Sequence, residues 1–154
     1  MTGFLLAVHV VAAILAIGPV AVTASMFPPA ARSAIADPGS ALKAGTVTVL
    51  ARITRVYSVI AVVVPVFGLA TGASLGVLTD GWLIASMILT AIAAVLLVGA
   101  ILPVQRNIVD ALGRHEPAGA DTSRRLAMYA GIFNLLWAVV VVLMIYRPGS
   151  TTGV

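Results

Sequence analysis

Two histidines are the side chains of this chain best suited to bind a metal or a haem iron. His9 lies in an apolar run near the N-terminus, and His115 lies in a basic stretch. A neutral imidazole can ligate iron or copper, and an ionisable residue within a membrane span is a functional candidate. The competing interpretation of His9 is structural. It lies only six residues, about 9 Å, from the start of its run, where it can bond a neighbouring helix or interfacial water.

A second ligand for a site at His9 is hard to find. The charge distribution described below places His115 on the opposite side of the membrane, so the two histidines cannot share a metal. Met87 or Met144 can act as an axial haem ligand, although methionine in an apolar bundle is usually packing. The chain has no cysteine, no acidic residue within its long apolar runs, and none of the common catalytic motifs. We predict no catalytic residue, no metal site and no cofactor, with haem b at His9 as the alternative.

The composition predicts a protein whose main solvent is lipid. Hydrophobic residues make up 61% of the chain and charged residues 9%, against about 25% charged residues in soluble domains. A hydrocarbon layer about 30 Å thick requires roughly 20 apolar residues in a helix. The sequence therefore predicts an all-α membrane protein, a single four-helix transmembrane domain over residues 1–154. Four runs qualify as spans: Gly3–Phe27, Tyr57–Leu78, Trp82–Val104 and Leu126–Tyr146.

The basic residues predict how this bundle is oriented. Loops rich in Lys and Arg stay cytoplasmic, so both termini should face outward, with Arg147 as the single basic residue on their side. This segregation favours a topology signal over nucleic-acid binding. The Arg-, Ala- and Val-rich composition suggests a bacterial cytoplasmic membrane, and the first run, which no Lys or Arg precedes, should be kept as a span rather than cleaved. Eight basic residues lie between runs one and two or three and four: Arg32, Lys43, Arg52, Arg55, Arg106, Arg114, Arg124 and Arg125.

Arg52 and Arg55 stand just before the second span and are candidates for binding a lipid head group or a substrate phosphate. The alternative is that they snorkel and orient the helix. The preceding segment, Ala41–Arg55, has apolar residues at roughly helical spacing with basic residues among them. It is either an interfacial helix or a cytoplasmic extension of the second span.

Small and polar residues in the spans predict helix packing. Gly68, Gly72 and Gly76 recur at a spacing of four, which places them on one helix face and allows another backbone to approach. The helix on that face belongs either to the same chain or to a second protomer. Asn134, near the middle of the fourth span, is expected to bond across helices.

Prolines predict where the helices bend or end. Pro19 and Pro65 lie inside spans and should kink them, because proline lacks the backbone donor and crowds the preceding turn. Pro28 and Pro29 follow the first span and are expected to end its helix.

The connections predict how consecutive spans are related. The short connection at Asp80-Gly81 should reverse the chain and make spans two and three antiparallel neighbours. Asn107–Gly113 should extend the third helix beyond the membrane, with Gly113 as its stop.

The whole pattern resembles a bacterial family of integral membrane proteins, domain of unknown function family 2269. That family implies no activity, cofactor or catalytic residue. A looser likeness, through Leu6, His9 and Ala12, is to four-helix haem or copper proteins of the cytochrome b561, copper-resistance D and membrane-bound protoporphyrinogen oxidase groups, although the further transmembrane histidines of the cytochromes are missing. The family resemblance rests on the segment from Leu5 to Ala13, Gly18-Pro19, the basic loop before Tyr57, the Gly-rich second span, the segment from Trp82 to Ser86, and the segment from Pro103 to Arg106.

We therefore expect a non-enzymatic membrane component, an accessory subunit that uses its glycine face to pack or self-associate. Its partners would be the lipid bilayer and, within it, a second copy or another membrane protein. The alternative is a haem- or metal-binding redox protein with His9 as a ligand. A small-solute carrier is a third hypothesis, but it would need oligomerisation to form a path and lacks the coupling carboxylates.

Overall fold

A computed structural model describes residues 2–114, 116 and 120–149, and over these residues the chain forms helices and no strand. Four stretches are long and apolar enough to cross a membrane: α1, α2 with α3, α4 with α5, and α6. The prediction of an all-α chain with four potential spans is confirmed. The elements are α1 (Thr2–Ile35), α2 (Ala41–Ile60), α3 (Val63–Leu75), α4 (Gly81–Leu96), a π-helical turn (Leu97–Ile101), α5 (Leu102–Gly113) and α6 (Ala120–Tyr146).

Helix α1 does not end at Pro28 and Pro29 but continues to Ile35. The prediction that these prolines stop the helix is wrong. Proline in a helix interior costs roughly 3 kcal/mol through the missing hydrogen bond and the crowded carbonyl. Here Pro28 and its neighbours Phe27 and Ala31 are buried, so burial of this face offsets the local cost.

The second span is interrupted where Pro65 lowers the stability of the helix. Ala61 and Val62 form a turn between α2 and α3, and Pro65 lies in the first turn of α3, where proline is tolerated. Proline cannot donate to the carbonyl four residues earlier, which belongs to Ala61. The predicted kink is therefore present as a break in the helix.

Helix α2 begins well before the predicted second span. Its N-cap is Ser40, whose hydroxyl accepts a hydrogen bond of 3.4 Å from the backbone N–H of Lys43. The helix then runs without a break from Ala41 to Ile60. Helix α2 therefore joins Ala41–Arg55 directly to the start of the predicted second span, and both alternatives for this segment stay open.

The third span carries a π-helical turn just before Pro103. The turn covers Leu97–Ile101, and Pro103 occupies the start of α5, where its missing N–H is least costly. Beyond it, α5 continues to Gly113, so the predicted extension of this helix and its end are confirmed.

The helices pack around α1 as the central element. Helix α1 contacts α2, α3 and α6, while α4 packs chiefly on α6 and α2 packs on α5. Helices α2 and α5, which carry the adjoining ends of predicted spans two and three, are therefore neighbours, and pairing along the full length of the two spans stays a prediction. Helices α3 and α4 make few contacts with each other, because α3 packs against α1 after the break at Ala61–Val62.

The packed core lies toward one end of the bundle, where α1 and α5 finish and α2 and α6 begin. We call this the basic end, because the eight basic residues between the predicted spans belong to it. Phe27 there is 0% exposed, whereas Phe4 at the start of α1 is 70% exposed. Exposed apolar side chains elsewhere on the bundle suit contact with lipid. The main buried cluster comprises Val20, Ala24, Phe27, Ala31, Ala34, Val47, Leu50, Ala93, Leu97, Ile101, Ile108, Leu126, Ala130 and Phe133.

Candidate functional site

His9 links α1 to α3 through a hydrogen bond. Its Nδ1 atom lies 2.9 Å from the carbonyl oxygen of Val64. A carbonyl oxygen only accepts, so Nδ1 carries the proton, and in the neutral imidazole Nε2 is then unprotonated. This bond matches the structural interpretation of His9. It also matches the second bond made by most metal-ligating histidines, which donate their other ring N–H to a carbonyl or a carboxylate.

The described residues do not bring further histidine or acidic ligands to His9. Within residues 2–114, 116 and 120–149, no group of three or more His, Cys, Asp or Glu is placed to hold a metal ion. Met87 lies on α4 and Met144 on α6, and His9 contacts Val64 and Gly68 of α3. His115 lies outside the described residues. The hypothesis of a cofactor at His9 therefore stays a prediction.

The three glycines of the second span have different roles. Gly68 faces the His9 ring, because a Cβ atom at this position would lie 2.9 Å from His9 Cε1. Gly72 faces α4, where an added Cβ would lie 2.9 Å from Leu83 Cδ2. Gly76 departs from the prediction of a common face. It follows the last residue of α3 with φ of +71°, a left-handed conformation that glycine adopts without strain.

Asn134 makes the cross-helix bond that its position predicts. Its Nδ2 donates to the hydroxyl of Ser25 on α1 at 2.8 Å, and Ser25 in turn donates to the carbonyl of Ala21 at 2.8 Å. The Oδ1 atom of Asn134 and the indole Nε1 of Trp137, one turn further along α6, are buried without a protein partner. The side chain of Asn134 therefore joins α6 to α1 near the middle of the fourth predicted span.

A second polar contact joins α1, α2 and α5, and no sequence pattern predicted it. Thr23 and Thr54 place their hydroxyl oxygens 2.8 Å apart, and Thr54 also bonds the carbonyl of Leu50 at 2.9 Å. Gln105 reaches Thr54 through Nε2 at 3.5 Å, the limit of hydrogen-bond distance, while its buried Oε1 has no partner. Threonine and glutamine at the edges of apolar runs have no diagnostic spacing. The only sequence signal was the polar residue Gln105 directly after the apolar third span. The structure places its side chain on the buried face of α5.

A cleft opens between α2 and α5 at the basic end. Its volume is about 450 Å³, and Arg55 of α2 faces Leu102, Pro103, Arg106 and Asn107 of α5 across it. Arg55 was one of the two predicted head-group residues. The other predicted residue, Arg52, is exposed on α2 but does not line this cleft. No sequence pattern predicted Arg106 and Asn107 as partners of Arg55.

These observations define a class: over the described residues the protein is helical, with four stretches able to cross a membrane, polar contacts between its helices and a basic cleft at one end. No protein-family model, curated protein or solved structure matches the chain. The resemblance to domain of unknown function family 2269 therefore stays a prediction.

Proposed function

We propose that this chain is a non-enzymatic integral component of a bacterial cytoplasmic membrane, an accessory subunit with both termini outside. The supporting observation is how its polar span residues are used. His9 bonds α3, Asn134 bonds Ser25, and Thr23 bonds Thr54, so each of these contacts joins two helices. Groups committed to holding helices together serve architecture rather than turnover.

The proposed orientation rests on charge. The basic end carries eight Lys and Arg residues and the opposite end one, Arg147. Such an excess keeps short loops on the cytoplasmic side. The continuation of α1, α2, α5 and α6 past the predicted spans would extend the bundle into the cytoplasm by several turns.

A subunit role requires association within the bilayer, and the glycines constrain how it occurs. Gly68 and Gly72 already pack against His9 and Leu83 of the same chain. A second protomer or another membrane protein would therefore meet the exposed apolar faces, such as the one containing Ile14 and Leu15, which are 66% and 62% exposed.

The mass of the protein in its own membrane tests this role. After extraction into polymer-bounded nanodiscs, native mass spectrometry should show an assembly heavier than the 15.7 kDa single chain. Gly72→Ile should reduce the amount of that assembly. The larger side chain would clash with Leu83 and shift α4, which would alter the lipid-facing surface through which subunits associate. Gly45→Ile is the matched control, since nothing lies within 4 Å of a Cβ at this exposed position of α2, which precedes the predicted second span.

Two outcomes would contradict the accessory role. One is wild-type protein that is monomeric in nanodiscs at every concentration. The other is Gly72→Ile protein with unchanged thermal stability and unchanged mass, which would show that the α3–α4 contact does not support the surface used for association.

One observation favours a second candidate function, a haem- or metal-dependent redox protein. The hydrogen bond from His9 Nδ1 to Val64 holds the ring, and in the neutral imidazole it leaves Nε2 as the unprotonated nitrogen that a metal would need. The imidazole would hold the group, which would supply electron-transfer chemistry when bound.

An absorption spectrum of the purified protein, oxidised and then reduced with dithionite, separates the two functions. The redox hypothesis predicts a Soret band in the wild type, its loss in His9→Ala and its retention in His115→Ala. The accessory-subunit hypothesis predicts a featureless spectrum from folded protein purified from haem-replete cells. A Soret band that His9→Ala leaves unchanged would remove His9 from consideration as the ligand.

A further inference from the structure

We propose that the cleft between α2 and α5 binds a phosphate group. Arg55 and Arg106 would supply the charged donors and Asn107 a neutral one, with Leu102 and Pro103 as the apolar wall. Guanidinium groups recognise phosphate through paired N–H donors, and a side-chain amide adds a further N–H.

The depth of the two arginines follows from the order of the spans. Arg55 lies two residues before the second predicted span, and Arg106 lies two residues after the third. These spans run in opposite directions and pack through α2 and α5, so both arginines reach the same level at the boundary of the apolar layer. Lipid phosphates lie at this level, and basic pockets between membrane helices bind their head groups.

The charge balance of the cleft favours an anion. No lining residue is acidic, and within the part of the chain that the structure describes Arg55 has no salt bridge. Arg106 has one acidic neighbour, Asp110, whose Oδ2 lies 3.9 Å from Arg106 Nε. Both side chains of that pair are more than half exposed, at 70% and 52%, so the pair holds Arg106 weakly. Two arginines that line one cleft repel each other, and a bound phosphate would remove that repulsion.

The volume of the cleft and its apolar wall suit a ligand larger than a bare phosphate ion. A volume of about 450 Å³ lies within the range of small-molecule sites, roughly 300–1,000 Å³. Leu102 and Pro103 belong to the predicted third span and border the two arginines. A phosphodiester with an attached glycerol and acyl chain would place its charge on the arginines and its apolar part along this wall. A soluble phosphate compound would use the arginines and Asn107 alone.

Lipid binding to the full-length protein in a neutral detergent tests the proposal. Phosphatidylglycerol, phosphatidylcholine or inorganic phosphate is titrated against the protein, and native mass spectrometry counts the molecules bound. We expect one tightly held phosphatidylglycerol, with Arg55→Ala and Arg106→Ala each raising its dissociation constant about tenfold, because each removes a charge-assisted contact. Asn107→Ala should have a smaller effect in the same direction.

Arg52→Ala is the matched control. It removes the same charge from the same helix one turn away, at an exposed position outside the cleft. Its dissociation constant for phosphatidylglycerol should stay within about twofold of wild type, because a charge outside the cleft makes no direct contact with the phosphate. Because the three arginines are exposed, the variants should keep the wild-type melting temperature without lipid, which shows that any loss of binding is not a loss of folding.

Competition between phosphatidylglycerol and inorganic phosphate shows whether the bound phosphate belongs to a lipid or to a soluble compound. Displacement of phosphatidylglycerol by millimolar inorganic phosphate would indicate a soluble phosphate ligand. Retention of the lipid under the same conditions would indicate a head group held together with its acyl chains. The proposal is overturned if neither probe binds, if Arg55→Ala and Arg106→Ala leave phosphatidylglycerol binding unchanged, or if Arg52→Ala weakens binding as much as Arg55→Ala.

Discussion

Replacing Phe27 with alanine is expected to lower the free energy of unfolding by about 3–5 kcal/mol, the range for removing a buried aromatic side chain. Phe27 is 0% exposed and belongs to the main buried cluster, so removing the ring leaves a cavity among the packed side chains. It also stands directly before Pro28, in the segment where α1 continues through two prolines. Loss of its packing therefore removes part of what holds the helix together at this point.

Denaturant titration in mild detergent, followed by circular dichroism, measures this change. Phe4→Ala is the matched control, because Phe4 is 70% exposed and its loss should change stability by less than about 1 kcal/mol. Equal effects of the two substitutions would show that the segment around Phe27 does not form the core described here. A selective loss of helix signal in Phe27→Ala would show that packing keeps α1 continuous past Pro28.

A single methyl group added to Gly68 is expected to destabilise the protein by about 1–3 kcal/mol, the usual cost of overpacking. The new Cβ would lie 2.9 Å from His9 Cε1 and 3.2 Å from Nδ1. The ring cannot move aside without lengthening its 2.9 Å bond to Val64. Steric strain and a weakened hydrogen bond therefore act in the same direction.

Gly45→Ala is the matched control and should have the opposite sign. Gly45 lies within α2, and nothing lies within 4 Å of a Cβ at this position. Alanine is favoured over glycine in a helix by about 1 kcal/mol, so this variant should be more stable than wild type. The two variants are compared by thermal unfolding in the same detergent. A stabilising effect of Gly68→Ala would mean that α1 and α3 do not approach as closely as the structure shows.

Much of the architecture can be predicted from local composition. The long apolar runs predict helices able to span a membrane, because burying backbone polar groups in lipid requires them to be satisfied within one helix. Pro65 predicts the break between α2 and α3, since the missing donor and the crowded carbonyl are local effects. The same local rule fails at Pro28 and Pro29, where burial of Phe27, Pro28 and Ala31 on one face of α1 outweighs it.

The polar contacts and the cleft depend on residues that are far apart along the chain. Asn134 was predicted to bond across helices, but only the packing of α6 on α1 selects Ser25, which is 109 residues away, as its partner. Thr54 and Gln105 meet for the same reason. A hydrogen-bond partner on another helix is set by helix rotation and depth, and neither quantity is encoded in the spacing of a single run.

The sequence by itself determined the number of potential spans, the all-helical class and the segregation of charge. Each of these depends on the composition of a contiguous segment and on its length relative to the hydrocarbon layer. Only the tertiary structure decided that Gly68 and Gly72 contact different elements, that Gly76 follows the end of α3, and that Arg55 lines a cleft with Arg106 rather than with Arg52. Those outcomes depend on how each helix is rotated against its neighbours, and that rotation follows from packing summed over the whole bundle.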